Sequence, residues 1–164
     1  MARSLTSPPA RLIGLIADTH GLVRSSVFHA LNDVEMILHA GDVGAGVLDE
    51  LRTIAPVRGV IGNTDQPDDP ELSPSLELTV DDVRIHVSHG HELGAPTPAA
   101  LLSTYAADVI VYGHTHKQLV VRAGGRWVVN PGAAGQRRFN LTPSVAKLRI
   151  ERGEISVEIV ELPA

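Results

Sequence analysis

Short apolar runs alternate with polar segments along the first two-thirds of the chain. Five predicted strands lie near positions 11–17, 35–40, 57–61, 83–87 and 109–112. Short buried runs bounded by Gly are typical of strands. Apolar residues recur at helical spacing near 22–31 and 46–54, which predicts helices between the first three strands. This βαβαβ order predicts right-handed crossovers and a parallel sheet.

The second half of the chain changes to antiparallel patterning. Two hairpins are predicted, with their turns at 81–82 and 124–125, and one more helix is predicted near 98–106. Apolar and polar residues alternate at 146–150 and again at 155–159, as in strands that face solvent on one side. The whole pattern predicts the α/β class, as a two-sheet sandwich of mixed parallel and antiparallel strands with helices outside.

Each of the five predicted strands ends beside a side chain that can bind a metal. In open α/β sheets, ligands gather at the carboxyl ends of the strands. We therefore expect these side chains to form one shared site, although each of them alone would be read as a polar loop or capping residue. The seven donors are Asp18, His20, Asp42, Asn63, His89, His114 and His116.

The composition narrows the kinds of site and partner. The chain has 164 residues, 43% of them hydrophobic, and no cysteine, which excludes disulfides and thiolate metal sites. A net charge of −5 argues against general nucleic-acid binding, which depends on Lys and Arg contacts to phosphates. No apolar run approaches the ~20 residues of a membrane span, and the first residues do not resemble a signal peptide. We expect a cytoplasmic protein with one domain over 1–164 and a loose tail over 1–10.

The donor set predicts two cations rather than one. Two carboxylates, one amide oxygen and four imidazoles exceed the needs of a single tetrahedral ion. Residues i and i+2 of an extended segment point the same way, so both donors of Asp18-x-His20, and both of His114-x-His116, can face one pocket. The mixed nitrogen and oxygen set suits Mn, Fe, Co, Ni or Zn. Two such ions about 3.5–4 Å apart acidify a water and clamp the oxygens of an in-line displacement at phosphorus.

The order of these motifs resembles the calcineurin-like metallophosphoesterase superfamily, and in particular its small single-domain phosphodiesterase branch. The matching elements are Asp18-x-His20, Gly41-Asp42, Gly62-Asn63, His89 and Gly113-His114-x-His116. The resemblance implies an α-β-β-α sandwich. It implies that one metal takes Asp18, His20 and His116. It implies that the other metal takes Asn63, His89 and His114, with Asp42 as the bridge.

The resemblance also implies a function, the hydrolysis of small phosphodiesters by attack of a metal-bound hydroxide. The cofactors would be two divalent transition-metal ions, with Mn favoured over Fe, Ni, Co or Zn. Thr64 stands where many relatives carry a His that protonates the leaving group, and a hydroxyl cannot deliver a proton at neutral pH as an imidazole can. We take His91 as the candidate proton donor. Arg137 and Arg138 are candidate phosphate-binding residues, with a solvated loop as the alternative.

Three other histidines are interpreted without a direct chemical role. His86 is expected on the opposite side of its sheet from His89 and is read as structural. His39 is expected to pack behind the site, and His29 is expected to face solvent on a helix. The acidic segment at 65–74 and the segment at 90–98 are expected to be loops at the rim of the site.

Two other functions stay open. The first is a protein-interaction scaffold or metal-dependent binder, as in retromer subunits that resemble this family but have eroded ligands. The second is a phosphomonoesterase, which would need more cationic contacts than the two arginines provide. Pairing of two copies through exposed strands near 119–129 is a further alternative, so a homo-oligomer is also considered.

Overall fold

The fold follows the predicted alternation of strands and helices. The computed structural model describes residues 9–138 and 140–163, so most of the tail predicted for 1–10 lies outside the described residues. The strands, in chain order, are β1 Arg11–Ile16, β2 Met36–His39, β3 Val57–Val60, β4 Leu72–Ser73, β5 Leu76–Val80, β6 Val83–Val87, β7 Val109–Val111, β8 Leu119–Ala123, β9 Arg126–Asn130, β10 Ser144–Glu151 and β11 Glu154–Glu161. The helices are α1 Ser25–Ala30, α2 Val47–Leu51 and α3 Pro98–Thr104.

The strands form two mixed sheets. The first sheet has the order β11-β10-β1-β2-β3-β4, and the second has the order β5-β6-β7-β9-β8. β1, β2 and β3 pair in parallel, as the βαβαβ pattern predicted, and β10 pairs antiparallel with β1. In the second sheet, β6, β7 and β9 are parallel neighbours. The carboxyl ends of β1, β2, β3, β6 and β7 therefore lie at one end of the sandwich.

Three apolar layers hold the two sheets and the helices together. Between the sheets, Leu15 and Leu38 pack with Val87 and Val111, and each of these side chains is fully buried. The helices α1 and α2 pack on the outer face of the first sheet, and α3 packs on the outer face of the second. The result is the predicted α-β-β-α sandwich. Burial of each such aliphatic side chain contributes about 1.5–3 kcal/mol.

Both predicted hairpins are present, and their turns explain their sequences. Asp81 and Asp82 have φ angles of 47° and 69°, and Gly124 and Gly125 have φ angles of 57° and 82°. Two positive φ angles in succession are the geometry of a type I′ turn, whose twist matches that of the flanking strands. The long antiparallel pair β10–β11 was also correctly predicted from its alternating pattern.

Both early helices are shorter than predicted. The helix expected at 22–31 begins only at Ser25, because His20 and Gly21 take left-handed backbone conformations and Arg24 is extended. The helix expected at 46–54 covers only Val47–Leu51 and follows Gly46 in the left-handed region. The segments at 65–74 and 90–98 are loops as expected, except that the first ends in β4 and the second contains a 3₁₀ turn at His91–Leu93.

Candidate metal centre

Three of the predicted donors form one cluster after β1 and β7. Single ligand atoms of Asp18, His20 and His116 lie within 4.8 Å of one another. The distance between His116 Nε2 and Asp18 Oδ1 is 3.7 Å. Within the described residues, Asp18 Oδ1, His20 Nε2 and His116 Nδ1 are buried and accept or donate no hydrogen bond. Buried polar groups are normally paired, so these three side chains are arranged to hold a group that the chain does not itself supply.

A second cluster lies beside the first. Asn63 Oδ1 lies 3.0 Å from His89 Nε2 and 3.2 Å from His114 Nδ1. The rings of His89 and His114 are edge-to-face, with centroids 5.1 Å apart. Asn63 is exposed, His114 is half-buried and His89 is fully buried. One amide oxygen and two imidazole nitrogens thus converge on a second potential cation position.

Two carboxylates lie between the clusters. Asp42 Oδ2 is 3.2 Å from His89 Nε2 and 3.8 Å from His20 Nε2, so it reaches toward both groups. Asp18 Oδ1 also lies 3.8 Å from His89 Nε2, and ligand atoms of Asp18, Asp42 and His89 form a further compact set. The proximity of Asp18 to His89 was not predicted from the sequence. All seven predicted donors are therefore gathered in one place.

The backbone that presents these donors is not extended, contrary to the sequence-based expectation. Asp18 and His20 have φ angles of 53° and 48°, and His114 and His116 have φ angles of 71° and 66°. Asp42, at φ 56°, takes the same left-handed conformation. This conformation costs a non-glycine residue about 1–3 kcal/mol, and such strain concentrates at functional sites. The donors of each pair face one pocket because the backbone turns sharply, and not because residues i and i+2 of a strand share a face.

Hydrogen bonds fix the orientation of His89. Its Nδ1 lies 2.8 Å from the carbonyl oxygen of Ala40, which can only accept, so Nδ1 carries the proton and donates it. Nε2 faces Asp42 and Asn63, where it donates to the Asp42 carboxylate when it is protonated and offers its lone pair to a cation when it is not. A histidine whose other nitrogen donates to a carbonyl is the usual arrangement of a metal ligand.

A fully bonded network behind the donors includes His39. The Gly41 N–H donates to His39 Nδ1 at 3.1 Å, His39 Nε2 donates to Thr19 Oγ1 at 2.9 Å, and the Thr19 hydroxyl donates to the Val43 carbonyl at 2.6 Å. Complete burial lowers the pKa of His39 to about 3, so this imidazole stays neutral. The network joins the loop after β1 to the loop after β2, and the packing role predicted for His39 is confirmed.

Asp65 binds the adjacent loops together, a role that the sequence did not reveal. Its Oδ1 accepts the Val43 N–H at 2.9 Å, and its Oδ2 accepts the Gly62 N–H at 2.8 Å. We predicted a hydrated acidic rim here. Asp65 instead takes up backbone donors of both the Asp42 loop and the Asn63 loop. The only local hint is that Asp65 follows Gly62 by three residues, a spacing at which a side chain can accept a hydrogen bond from the backbone of its own turn.

The carboxylates differ in protonation. Burial raises the pKa of Asp18 to about 7, despite the opposing charge of His89. Burial alone would also raise the pKa of Asp42, but hydrogen bonds from His89 and from the Thr64 N–H outweigh it and hold that pKa well below its usual range. Asp18 is thus a carboxylate with too little nearby positive charge, which a bound cation would supply.

The imidazoles are poised as neutral ligands. Burial lowers the pKa values of His20, His114 and His116 below the ordinary value of 6.5. Burial acts in the same direction on His89, but its contacts with the Asp42 and Asp18 carboxylates outweigh that effect and raise its pKa. Metal binding requires deprotonated imidazole nitrogens, so the first three side chains already favour the binding form. Together with the unpaired buried atoms, this donor chemistry fits divalent cations.

The predicted catalytic and substrate-binding residues surround the donors. The ring centroid of His91 lies 5.3 Å from that of His89 and 6.3 Å from that of His114. The charge of Arg138 is close enough to lower the pKa values of Asp18 and His116. Arg137 and Arg138 are exposed and line a small cleft with His116.

Comparison with known proteins identifies the family. The profile of the calcineurin-like phosphoesterase superfamily domain matches residues 12–153. The chain belongs to this superfamily. Its members are metal-dependent phosphoesterases, so the donors described above are candidate ligands of a catalytic metal centre.

Three known proteins show what the chain is similar to. A probable metallophosphoesterase of Methanothermobacter thermautotrophicus is 36% identical over 93% of this chain and 94% of its own length. A phosphodiesterase of Methanocaldococcus jannaschii is 27% identical over 73% of this chain and 82% of its own length. The crystal structure of Vps29 from Entamoeba histolytica, complexed with zinc, superposes with a TM-score of 0.74 at 24% identity and covers 92% of this chain and 98% of that one. The last comparison concerns the fold alone.

The structure bears on two further expectations. None of the described helices is long and apolar enough to cross a membrane. The edge strands β8 and β11 leave room for pairing between copies, but association through residues near 119–129 stays a prediction.

Proposed function

We propose that this protein is a binuclear-metal phosphodiesterase that hydrolyses small phosphodiesters. The observation that carries the proposal is the convergence of seven nitrogen and oxygen donors, from five strand ends, with buried ligand atoms that make no hydrogen bond to the described residues. The phosphodiesterase named among its relatives supports the same activity. We also propose that the protein is cytoplasmic and does not bind nucleic acids in general, as expected from the sequence.

The two clusters suggest which residues hold each ion. Asp18, His20 and His116 would hold one ion, and Asn63, His89 and His114 would hold the other. Asp42 would bridge them, since its Oδ2 lies 3.2 Å from His89 Nε2 and 3.8 Å from His20 Nε2. We propose Mn for both positions, with Fe, Ni, Co and Zn as alternatives, because the set mixes imidazole with carboxylate and amide oxygen. Two such ions lower the pKa of a water and stabilise the charge that develops on the phosphoryl oxygens.

The chain itself orients the reacting groups and supplies a proton. Arg138 would offer positive charge to the phosphate at the Asp18 side of the centre, and Arg137 lies next to it in the same cleft. His91 lies at the other side, near His89 and His114. As a hydroxide oxygen bonds to phosphorus and the phosphorus–oxygen bond to the alcohol breaks, His91 would give its proton to the departing oxygen. Thr64, whose N–H donates to Asp42 Oδ1 at 2.9 Å, positions the bridging carboxylate.

The test is turnover of bis(4-nitrophenyl) phosphate by protein loaded with Mn²⁺. We expect hydrolysis that Asp42→Ala lowers at least ~1,000-fold, because loss of the bridge disrupts both ions. Asp49→Ala, which removes an exposed carboxylate of α2, is the matched control and should retain activity. Absence of turnover with Mn, Fe, Ni, Co and Zn alike would refute the proposal.

The alternative function is that of a protein-interaction scaffold. Thr64 occupies the position at which many relatives carry a proton-donating His, and the fold is shared with Vps29. Metal binding without hydrolysis would favour this alternative. A phosphomonoesterase would instead cleave 4-nitrophenyl phosphate faster than the matched diester. We expect the opposite order, because the additional charge of a monoester needs more cationic contacts than the two exposed arginines provide.

A further inference from the structure

A second cavity of about 430 Å³ opens next to the donor cluster. Ile61, Pro67 and Pro74 form its apolar wall, and Tyr105 adds an aromatic surface. Its volume falls within the range of small-molecule sites. The function proposed above does not use this cavity, and the sequence did not indicate it.

His91 connects the cavity with the metal centre. It lines the cavity, while its ring lies 5.3 Å from the ring of His89. Its Nδ1 is buried and has no hydrogen-bond partner among the described residues. A phosphodiester whose phosphate lies at the donors could therefore place one ester group past His91 and inside the cavity.

Glu92 gives the cavity its charge. One carboxylate oxygen accepts the Gly90 N–H at 2.9 Å, and the other accepts the Tyr105 hydroxyl at 2.8 Å. A carboxylate offers about four acceptor positions, so these two hydrogen bonds leave capacity for a ligand, and Oε1 also lies 4.0 Å from His91 Nδ1. These hydrogen bonds outweigh the effect of burial and keep the pKa of Glu92 below its ordinary value, so the group is ionised at neutral pH.

Ser88 adds a polar group to the cavity lining. Its side chain is 1% exposed, and its Oγ forms no hydrogen bond of acceptable geometry with the described residues. The Ser88 side chain nevertheless lies close to Glu92 and Tyr105 and acts to lower the pKa of each. Neither Lys nor Arg is found among the described residues that line the cavity. A second phosphate or carboxylate would therefore meet the Glu92 carboxylate there without a Lys or Arg of the described lining to offset it.

We propose that this cavity binds one ester group of the substrate and selects an alcohol that carries an amine or a similar N–H donor. The assignment rests on the proposed function, since it places the phosphate at the metal donors. Apolar walls accept the carbon atoms of the alcohol, and the Glu92 carboxylate accepts its N–H groups. The protein would thus prefer amino-bearing diesters to neutral ones, and neutral ones to diesters with an additional acid.

Calorimetry with Mn²⁺-loaded protein tests this order. The probes are the 2-aminoethyl, ethyl and 2-carboxyethyl esters of methyl phosphate, which differ only in the group meant for the cavity. We expect the aminoethyl diester to bind about tenfold more tightly than the ethyl diester, and the carboxyethyl diester to bind most weakly. In Glu92→Gln the preference should fall to within about twofold, whereas Glu50→Gln, a change of an exposed acid on α2, should retain it.

Two outcomes would overturn the proposal in whole or in part. Equal Kd values for the aminoethyl and ethyl diesters in the unmodified protein would overturn the assignment, whatever the variants do. Retention of the preference in folded Glu92→Gln, verified by an unchanged melting temperature, would overturn the role of this carboxylate. Turnover of bis(4-nitrophenyl) phosphate is measured on the same sample, so failure of the proposed phosphodiesterase is seen separately from failure of the cavity's selectivity.

Discussion

Charged side chains are arranged differently at the two ends of the sandwich. At the amino end of β1, Arg11 donates to both oxygens of Glu35 at 2.8 and 2.9 Å and to Asp81 of the second sheet at 3.0 Å. These side chains are about one-third exposed or more. At the carboxyl end of β1, the Asp18 side chain is fully buried and its Oδ1 has no hydrogen-bond partner among the described residues.

This difference separates a structural ion network from a site. An exposed ion pair needs little from the rest of the protein and contributes little to stability. A buried carboxylate oxygen without a hydrogen bond is costly, and the left-handed backbone at Asp18 and His20 adds strain. A chain that pairs its charges at one end, and at the other leaves buried ligand atoms of Asp18, His20 and His116 without hydrogen bonds among the described residues, is built to bind something at the second end. Such local departures from stable geometry are expected at functional sites.

After loss of the Asp42 carboxylate itself, the largest predicted effect comes from filling the space beside that carboxylate. A Cβ atom at Gly62 would overlap Asp42 Oδ1 and the backbone nitrogen of Asp42. Gly62→Ala must therefore displace the carboxylate, and a displacement of about 1 Å can lower activity ~100-fold. Turnover and Mn²⁺ affinity, measured together, should both fall by at least that factor.

The control for Gly62 is the same change in the middle of β1. A Cβ at Gly14 would approach only side-chain methyl groups, those of Leu31 at 3.2 and 3.3 Å and one of Val34 at 3.3 Å, so Gly14→Ala should change activity by no more than a few-fold. Full Mn²⁺ affinity in Gly62→Ala would show that Asp42 is not a ligand held by close packing against this loop.

The next effect concerns His91, whose Nδ1 makes no hydrogen bond with the described residues. If His91 protonates the departing oxygen, His91→Ala should slow diesters of alkyl alcohols about 100-fold. It should slow 4-nitrophenyl diesters much less, because 4-nitrophenolate departs without a proton. Initial rates on the two kinds of diester give the ratio directly, and equal slowing of both would exclude proton donation by this residue.

A smaller effect is expected behind the donors, where every polar group is paired. Thr19→Val keeps the shape of the side chain but leaves the Nε2 proton of His39 without its acceptor, whereas the Val43 carbonyl still accepts the Gly21 N–H at 2.9 Å. Each buried unpaired group costs about 1–3 kcal/mol, so the free energy of unfolding in urea should fall by about that amount. Thr53→Val, which loses an exposed hydrogen bond to the Glu50 carbonyl, is the matched control. A fall in Thr19→Val no larger than that of the control would show that the network contributes little.

The strands were predictable from the sequence because their information is local. A short apolar run, or an alternation such as that in β10 and β11, is sufficient to specify a strand. The donors could be grouped because parallel strands present their carboxyl ends at one edge of a sheet. The resemblance to the superfamily then added roles for individual side chains, and the structure brings those side chains together.

The local geometry of the site could not be predicted for a physical reason. Left-handed conformations at Asp18 and His114 are unfavourable for isolated residues and persist only because tertiary contacts enforce them. The same turns delay the start of α1, which the apolar spacing placed too early. Asp65 and Glu92 were also missed, since both accept backbone N–H groups that only the folded loops bring near. Interactions of this kind leave no periodic trace in a sequence.

The smallest effect is predicted at the opposite end of the sandwich. Arg11→Met retains the apolar part of the side chain and removes the bonds to Glu35 and Asp81, which should lower the free energy of unfolding by less than about 1 kcal/mol. The hydrogen bond from Arg11 lowers the pKa of Glu35 below its ordinary value of 4.5. A carboxyl group whose pKa is lower in the folded protein stabilises it above that ordinary value, and this contribution is lost as the pH falls through the folded pKa. Urea titrations of both proteins should therefore differ at pH 7 and converge well below pH 4.5, while turnover at pH 7 is the same. A loss of activity in Arg11→Met would mean that the two ends of the sandwich are coupled. That result would contradict the assignment of the Arg11 ion pairs to stability alone and of the buried donors to function.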